Sequence, residues 1–238
     1  MKDLKINAAQ SCGYWWCLVA WLVLSALSGC GAPPEPTLNL YRAIQVGDLD
    51  QIKRHLHWGT DINQAGPDGD YPLHMAARRG QVVVVEELLR HGAVRDVRDA
   101  HGLTPLELAL LAGKTQVARS FLQAGARLDP QALLQVLVDQ GVSDRDTLGL
   151  VVAQGADVNA ADAQGTRPLH RAIRSGQVRV VKRLIALGAD VNLTDGQGQS
   201  PLALAKAGNQ ADIGALLTTF GASLRPQPSN PDHDARHP

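Results

Sequence analysis

Short apolar stripes with helical spacing recur from residue 37 to residue 223. In the clearest of them, apolar side chains stand at i, i+1, i+4 and i+5, which puts one stripe on one side of a helix. These are Val84, Val85, Leu88 and Leu89 in one segment, and Val180, Val181, Leu184 and Ile185 in another. A shorter segment that opens with a proline and ends at a glycine precedes each of them, as in Pro168 to Gly176. Two such short helices cannot bury their apolar faces alone, so the pattern predicts a unit that is stable only when stacked on copies of itself.

Copies of this unit are present at a nearly constant spacing. The glycines that end the second helices are 33, 33, 30, 33 and 33 residues apart, and prolines recur in step with them. The glycines are Gly59, Gly92, Gly125, Gly155, Gly188 and Gly221, and the prolines are Pro72, Pro105, Pro168 and Pro201. A period of 33 with openings such as Pro168-Leu169-His170 resembles the ankyrin repeat family. The resemblance implies an all-α ankyrin-repeat solenoid of about six helix-turn-helix repeats with short β-turn fingers.

The two end repeats differ from the others in the second-helix stripe. The first repeat has Gln51 and His55 where the first member of each apolar pair is expected, and the last repeat has Gly214 and Thr218 where the second member is expected. We infer that one member of each pair faces the preceding repeat and the other faces the following repeat. Both ends of the array are then polar caps.

Repeat four departs from the period. Only 5 residues separate the preceding glycine from Pro130, against 13 for repeat three, whereas its helical part from Pro130 to Gly155 spans 25 residues, against 20. We therefore predict that the finger before repeat four is missing and that its helical part is longer. Asp129 is placed to cap the helix that begins at Pro130. The layer keeps most of its stripe, at Leu148, Val151 and Val152.

The first thirty residues are typical of an export signal. Lys2 and Lys5 precede an apolar run from Tyr14 to Leu27, which is shorter than the roughly 20 residues of a membrane-spanning helix. Positive charge lies only on the N-terminal side of this run, which indicates that the bulk of the chain crosses the membrane.

The run ends at Leu27-Ser28-Gly29-Cys30, which resembles the bacterial lipobox. The resemblance implies that Cys30 becomes the first residue of the mature chain and carries a lipid. Gly31, in place of the Asp that retains such proteins at the inner membrane of many Gram-negative bacteria, implies delivery to the outer membrane. An ordinary signal peptide and an uncleaved anchor are the alternatives.

The expected division of the chain has four parts. Residues 1–29 form the signal peptide, residues 30–36 the lipidated Cys30 and a proline-rich tether, residues 37–223 the ankyrin repeat domain, and residues 224–238 a disordered tail. A tether of seven residues from Gly31 to Thr37 reaches roughly 20 Å in a polyproline conformation. Cys12 and Cys17 leave with the signal, so no disulfide forms within the mature chain.

Composition and motifs argue against several function classes. Without Lys2, Lys5 and Asp3, 21 basic and 22 acidic residues remain, which does not suggest nucleic-acid binding. No phosphate-binding glycine loop and no Ser or Cys nucleophile context is present. His74 and His170 occupy the fourth position of the T-P-L-H opening, which in the family hydrogen-bonds nearby backbone and fixes the turn. We therefore predict no enzyme activity, no metal site and no cofactor. The alternative is a hydrolase with unusual residues in repeat four.

The ankyrin resemblance implies binding through the finger tips and the first helices. Carried over by position, the candidate protein-binding residues of the finger row are Asp68, Asp70, His101, Leu103, Gln164, Thr166, Gln197 and Gln199. Those of the first-helix row are Arg78, Arg79, Leu111 and Arg174. Arginine is enriched in interfaces because its planar fork forms several hydrogen bonds and stacks on other groups. The alternative is that these arginines are simply a solvated face.

These features predict a monomeric, non-enzymatic scaffold that binds another protein on the periplasmic side of the bacterial envelope, anchored by lipid at Cys30. Lipoproteins of this kind resemble immunity proteins that neutralise a toxic effector, or housekeeping scaffolds for envelope or oxidative-stress enzymes. The sequence does not separate these two roles. Delivery to a host cell is a third alternative, which the lipobox argues against.

Overall fold

The computed structural model describes residues 32–66 and 69–224, in which twelve helices form six consecutive pairs. The pairs are α1 Leu40–Val46 and α2 Leu49–His57, α3 Pro72–Arg79 and α4 Val82–Arg90, α5 Pro105–Leu111 and α6 Thr115–Gln123, α7 Pro130–Asp139 and α8 Arg145–Ala153, α9 Pro168–Arg174 and α10 Val178–Ala186, and α11 Pro201–Ala207 and α12 Ala211–Thr219. The predicted all-α solenoid of six repeats is confirmed. The signal peptide, Cys30 and residues 225–238 lie outside the described residues.

Local sequence sets where the first helices begin. A proline stands at the first helical position of α3, α5, α7, α9 and α11, where its missing N–H costs no hydrogen bond. Thr104 forms a capping box with Glu107 ahead of α5, and Ser200 caps α11. The carboxylate of Asp129 accepts the N–H of Ala132 at 3.0 Å, which confirms the predicted cap of α7.

The helices form two layers around one continuous apolar core. First helices pack on first helices, second helices pack on second helices, and the two helices of each repeat pack together. Fully buried side chains come from every repeat: Ile44, Leu88, Phe121, Leu137, Ile173 and Leu217. Because each repeat contacts only the adjacent repeats, the array is stabilised by the interfaces between neighbouring repeats.

Repeat four is the irregular layer, as predicted. Its first helix, α7, has 10 residues against 7 in α5. The buried Leu134, Leu137 and Val138 of α7 correspond to the buried Leu106, Ala109 and Leu110 of α5. The added turn of α7 therefore lies at its N-terminal end, and the rest of the extra length lies in the connection between α7 and α8. The backbones of α5 and α7, and those of α8 and α10, approach less closely than the other consecutive pairs.

The N-terminal end of the array is capped by chain that precedes α1. The side-chain oxygen of Gln51 accepts the N–H of Thr37 at 2.8 Å, and Nε2 of His55 lies 2.6 Å from the carbonyl oxygen of Leu38. Both side chains are buried. The first member of each stripe pair therefore faces the N-terminal side, and these two positions are polar because peptide groups, not another repeat, cover them.

Candidate functional site

Three of the fingers are held in shape by an aspartate that sequence reasoning did not single out. Oδ1 of Asp99 accepts the N–H groups of His101 and Leu103, each at 2.9 Å. We number each finger by the repeat that it precedes. Asp162 and Asp195 make the same pair of bonds in fingers five and six. The signal was available, because each aspartate precedes a turn glycine by three residues. Finger two has Gly66 at this position instead.

Three of the fingers are also tied to the first helix of the preceding repeat. Nε2 of His74 lies 2.9 Å from the carbonyl oxygen of Leu103, and Nε2 of His170 lies 3.0 Å from that of Gln199. In repeat one, the hydroxyl of Tyr41 donates to the carbonyl oxygen of Gln64. The expected backbone bond of the histidines is present, but its acceptor belongs to the next finger, 29 residues on, and not to the histidine's own turn.

Fingers five and six touch through their backbones. The N–H of Gly196 donates to the carbonyl oxygen of Gly165 at 2.7 Å. A Cβ at Gly165 would lie 2.6 Å from the Cα of Gly196, a separation that only glycine allows. The finger row is therefore pre-organised at this end of the array.

The predicted finger residues fall into two groups. His101, Gln164, Gln197 and Gln199 are exposed at the tips, whereas Asp70, Leu103 and Thr166 are half-buried. Leu103 and Gln199 also serve as backbone acceptors for the histidines, so their side chains and not their peptide groups are available to a partner. Asp68 lies outside the described residues.

The predicted first-helix residues adjoin the fingers, and two of the three arginines are already paired. Arg78 forms an ion pair with Asp70. Arg174 pairs with the buried Asp195 at 2.6 Å and donates to the hydroxyl of Thr166 at 3.3 Å. Leu111 is half-buried and packs against the core.

Arg79 differs from the other two arginines. It is exposed, and within residues 32–66 and 69–224 it has no ion-pair partner. Of the arginines named from sequence, Arg79 has the charge that is most accessible to a partner.

A groove of about 490 Å³ occupies the place of the missing finger. It lies between the connection 95–104 that leads into repeat three and the short connection 127–129 that leads into repeat four. Its charged lining residues are Arg95, Asp96, Arg98, Glu107, Arg127 and Asp129. Arg127 is exposed and has no ion-pair partner among the described residues, while its N–H donates to Asp96 at 3.3 Å. Sequence reasoning located this gap but none of these arginines.

Arg98 partly substitutes for the missing finger. Its guanidinium donates to the carbonyl oxygen of Gly102 at 2.5 Å and lies 3.6 Å from a carboxylate oxygen of Glu107. Gly102 corresponds to Gly165, whose carbonyl oxygen is bonded by the next finger, and Glu107 corresponds to His74. The two groups that would face a finger here face the exposed side chain of Arg98 instead.

On the far side of repeat four, one arginine joins three elements. Arg171 of α9 pairs with Asp139 at the end of α7 at 2.8 Å and with Asp162 of finger five at 2.6 Å. Burial alone would raise the pKa of Asp162, but the bonds from the N–H groups of Thr166 and Gln164 and from Arg171 together hold its pKa below the ordinary value. Asp162 is therefore a structural carboxylate, charged at neutral pH.

A recurring asparagine links the exits of successive second helices and was also missed. The side chain of Asn63 donates to the carbonyl oxygen of Gly92 and accepts the N–H of Val94. Asn159 and Asn192 repeat both bonds three and four repeats further on. Each asparagine stands at the same distance after a helix-ending glycine, which the sequence shows. A polar residue in a turn, however, does not contribute to the apolar periodicity.

The described part of the chain has neither a metal-ligand cluster nor a membrane span. No group of three or more His, Cys, Asp and Glu side chains converges between residues 32 and 66 or between 69 and 224. No helix in these ranges is long and apolar enough to cross a bilayer.

Comparison with known proteins matches the chain to ankyrin repeat proteins. The family descriptions "Ankyrin repeats (3 copies)" and "Ankyrin repeats (many copies)" fit residues 40–132 and 150–205. The E3 ubiquitin-protein ligase KEG of Arabidopsis thaliana is 29% identical over an alignment of 153 residues that covers 57% of this chain and 9% of that protein. The chain spans only about a tenth to a quarter of the length of the first curated relatives it matches.

Solved structures support the same assignment. The ankyrin repeat domain of Bcl-3 is 26% identical with a TM-score of 0.63, covering 80% of this chain and 89% of that one. A chain of the complex between a predatory endopeptidase of Bdellovibrio bacteriovorus and an immunity protein is 25% identical with a TM-score of 0.60, covering 78% and 99%. The fold is typically a non-enzymatic scaffold that binds proteins. With its six helix pairs, its fingers and these matches, the chain belongs to the ankyrin repeat family.

Proposed function

We propose that this chain is an exported, lipid-anchored scaffold that binds a periplasmic protein through its finger and first-helix side. The groove at the missing finger supports this choice of binding face. Arg127, which has no ion-pair partner among the described residues, lies in its wall, and fixed fingers stand on either side. A protruding turn of a partner fits this groove, because the chain itself leaves the space of one finger unfilled.

The export and the anchor rest on residues 1–30. The charged start, the short apolar run and Leu27-Ser28-Gly29-Cys30 support cleavage before Cys30 and lipidation of its thiol. Radiolabelled palmitate should enter the wild-type chain and not Cys30→Ala. Label retained in the variant, or absent from the wild type, contradicts the anchor. A single acyl chain holds a protein to a membrane only marginally, so firm retention requires more than one.

The partner we propose is a toxic effector, which makes the chain an immunity protein. The support is the likeness over most of the chain to the complex between the predatory endopeptidase and an immunity protein. Affinity capture of the mature domain from envelope extract, followed by deletion of the gene, tests this role. Cells that lack the chain should be killed by the captured protein and protected when the chain is restored. Unchanged survival, with capture of an envelope or oxidative-stress enzyme, supports the housekeeping role instead.

The binding face is tested by charge reversal. Arg79→Glu combined with Arg127→Glu should weaken binding of the captured partner by roughly thirtyfold or more, because desolvated arginine contacts typically contribute about 2 kcal/mol or more. Arg174 is unsuitable for this test, since it holds Asp195.

The matched control reverses two exposed charges on the second-helix side, Arg179→Glu with Lys182→Glu. If this control loses affinity while the Arg79 and Arg127 variant keeps it, the recognition face is the second-helix side.

A further inference from the structure

The segment before α1 lies against the second helix of repeat one. The indole N–H of Trp58 donates to the carbonyl oxygen of Pro33 at 3.2 Å. Further along the segment, Gln51 and His55 bond the backbone of Thr37 and Leu38. Residues 33–38 are thus attached to α2 at both ends, so they do not serve as a free tether of roughly 20 Å, the reach of seven polyproline residues.

This attachment leaves little chain between the repeats and Cys30. Only two residues lie between Cys30 and Pro33, and each of the three steps from one Cα to the next spans at most about 3.6 Å in a fully extended chain. Cys30 therefore lies within about 11 Å of Pro33 along the chain. If Cys30 carries the lipid, as proposed above, the surface around Pro33 and Trp58 is held at the membrane.

That surface has the composition of a membrane-interface contact. The side chain of Trp58 is 48% exposed although its N–H is already bonded, so the exposed part is the apolar ring. Leu38 of the same segment is 38% exposed. The helix contributes the basic side chains of Lys53, Arg54 and His57, and the segment contributes one exposed acidic side chain, Glu35. Tryptophan is enriched at the headgroup level of bilayers, where its apolar ring and polar N–H meet both environments.

We propose that the end of α2, together with residues 33–38, docks on the lipid surface, with the ring of Trp58 in the interfacial layer of the bilayer. The proposal rests on the lipid anchor at Cys30 and adds a contact that the anchor alone does not require. It fixes one face of repeat one against the bilayer, so the array is oriented and not freely tumbling on a flexible linker.

The chain offers an internal probe for this contact. Of its four tryptophans, Trp15, Trp16 and Trp21 precede Cys30, so the processed chain contains Trp58 alone. The lipidated protein is purified from membranes, its processing at Cys30 is checked by mass, and it is reconstituted into phosphatidylethanolamine and phosphatidylglycerol vesicles. In vesicles whose acyl chains carry bromine, Trp58 should lose most of its emission. In plain vesicles its emission should shift to shorter wavelength relative to an unlipidated chain produced from residue 31 onward, which also has Trp58 as its single tryptophan.

The matched control moves the tryptophan to the equivalent position of the last repeat. Trp58 ends α2 as Phe220 ends α12, and Phe220 is similarly exposed at 51%. The variant Trp58→Phe with Phe220→Trp should show little quenching. Equal quenching at both positions means that the whole array adheres to lipid, which overturns the proposal, as does an unquenched Trp58 in lipidated protein. A mass without lipid at Cys30 overturns the anchor itself.

Discussion

A single position near the start of the first helix links three of the repeats to the finger that follows. Tyr41, His74 and His170 occupy it in repeats one, two and five, and each bonds a carbonyl oxygen of the following finger. Repeat three has Glu107 there and repeat six has Ala203. Repeat three is followed by no finger, and repeat six is the last helix pair that the structure describes. In these five repeats, a side chain that bonds the following finger is present only where the structure describes such a finger.

The buried ring of His170 makes one prediction about pH. Burial lowers the pKa of His170 from its ordinary value of 6.5, although the bond to Gln199 acts in the opposite direction. The unfolded chain thus binds this proton more readily than the folded chain. The contribution of the neutral ring is fully present above about pH 6.5 and is lost as the pH falls towards the lowered value.

We expect His170→Gln, which keeps a donor but does not titrate, to reduce the fall in the free energy of unfolding between pH 7.5 and pH 5. The measurement is urea unfolding at a series of pH values. His57→Gln makes the same substitution on an exposed ring and is the control for the change of side chain itself. A pH dependence unchanged by His170→Gln contradicts the assignment.

At the scale of elements, repeat four shows how an array tolerates a missing finger. The added N-terminal turn of α7 brings Gln131 to the next repeat, where its amide accepts the N–H of Asp157 at 2.9 Å and donates to its carbonyl oxygen at 3.2 Å. This one side chain ties α7 to the connection that follows α8, whereas the histidines of repeats two and five bond the finger itself; it acts both as a donor and as an acceptor.

Gln131→Ala should therefore destabilise the protein by about 1–3 kcal/mol, because it leaves the half-buried N–H of Asp157 without its partner and removes one of the two donors to the carbonyl oxygen of Asp157. Chemical denaturation measures the change. Gln135→Ala is the control on the same helix, since Gln135 is half-buried and makes no side-chain hydrogen bond in the described structure; it should cost less than half as much. Equal losses at both positions would show that the effect is one of helix propensity.

At the scale of the whole molecule, the stability of the array depends on each repeat covering apolar side chains of the next. Val181 is fully buried and Ile185 is partly buried against the core. In the last repeat, the corresponding second members of each pair, Gly214 and Thr218, are not buried. The C-terminal repeat thus presents a more polar outer side than an inner repeat would.

Deleting residues 189–238 should expose Val181 and Ile185 of repeat five. Each fully uncovered apolar side chain loses about 1.5–3 kcal/mol of burial free energy. We expect the truncated chain to aggregate or to melt at a lower temperature, measured by light scattering and by circular dichroism. A truncation that removes only residues 225–238 is the control and should leave the melting temperature unchanged. A monomeric 1–188 product with the wild-type melting temperature would place the end of the array elsewhere.

Local sequence determined the helices, their caps and the number of repeats. Proline at a helix start, glycine at a helix end and the i, i+1, i+4, i+5 stripe act over a few residues, so they are legible without the fold. The missing finger could also be predicted from the sequence, because it changes the spacing between the helix-ending glycine and the next proline. The tertiary structure decided which charges are free: Arg174 is held by Asp195, a residue 21 positions away, while Arg79 has no such partner. It also decided that Trp58 donates a hydrogen bond to Pro33 and that His74 and His170 bond the next finger. Such pairings join residues that are distant in sequence, and no periodicity encodes them.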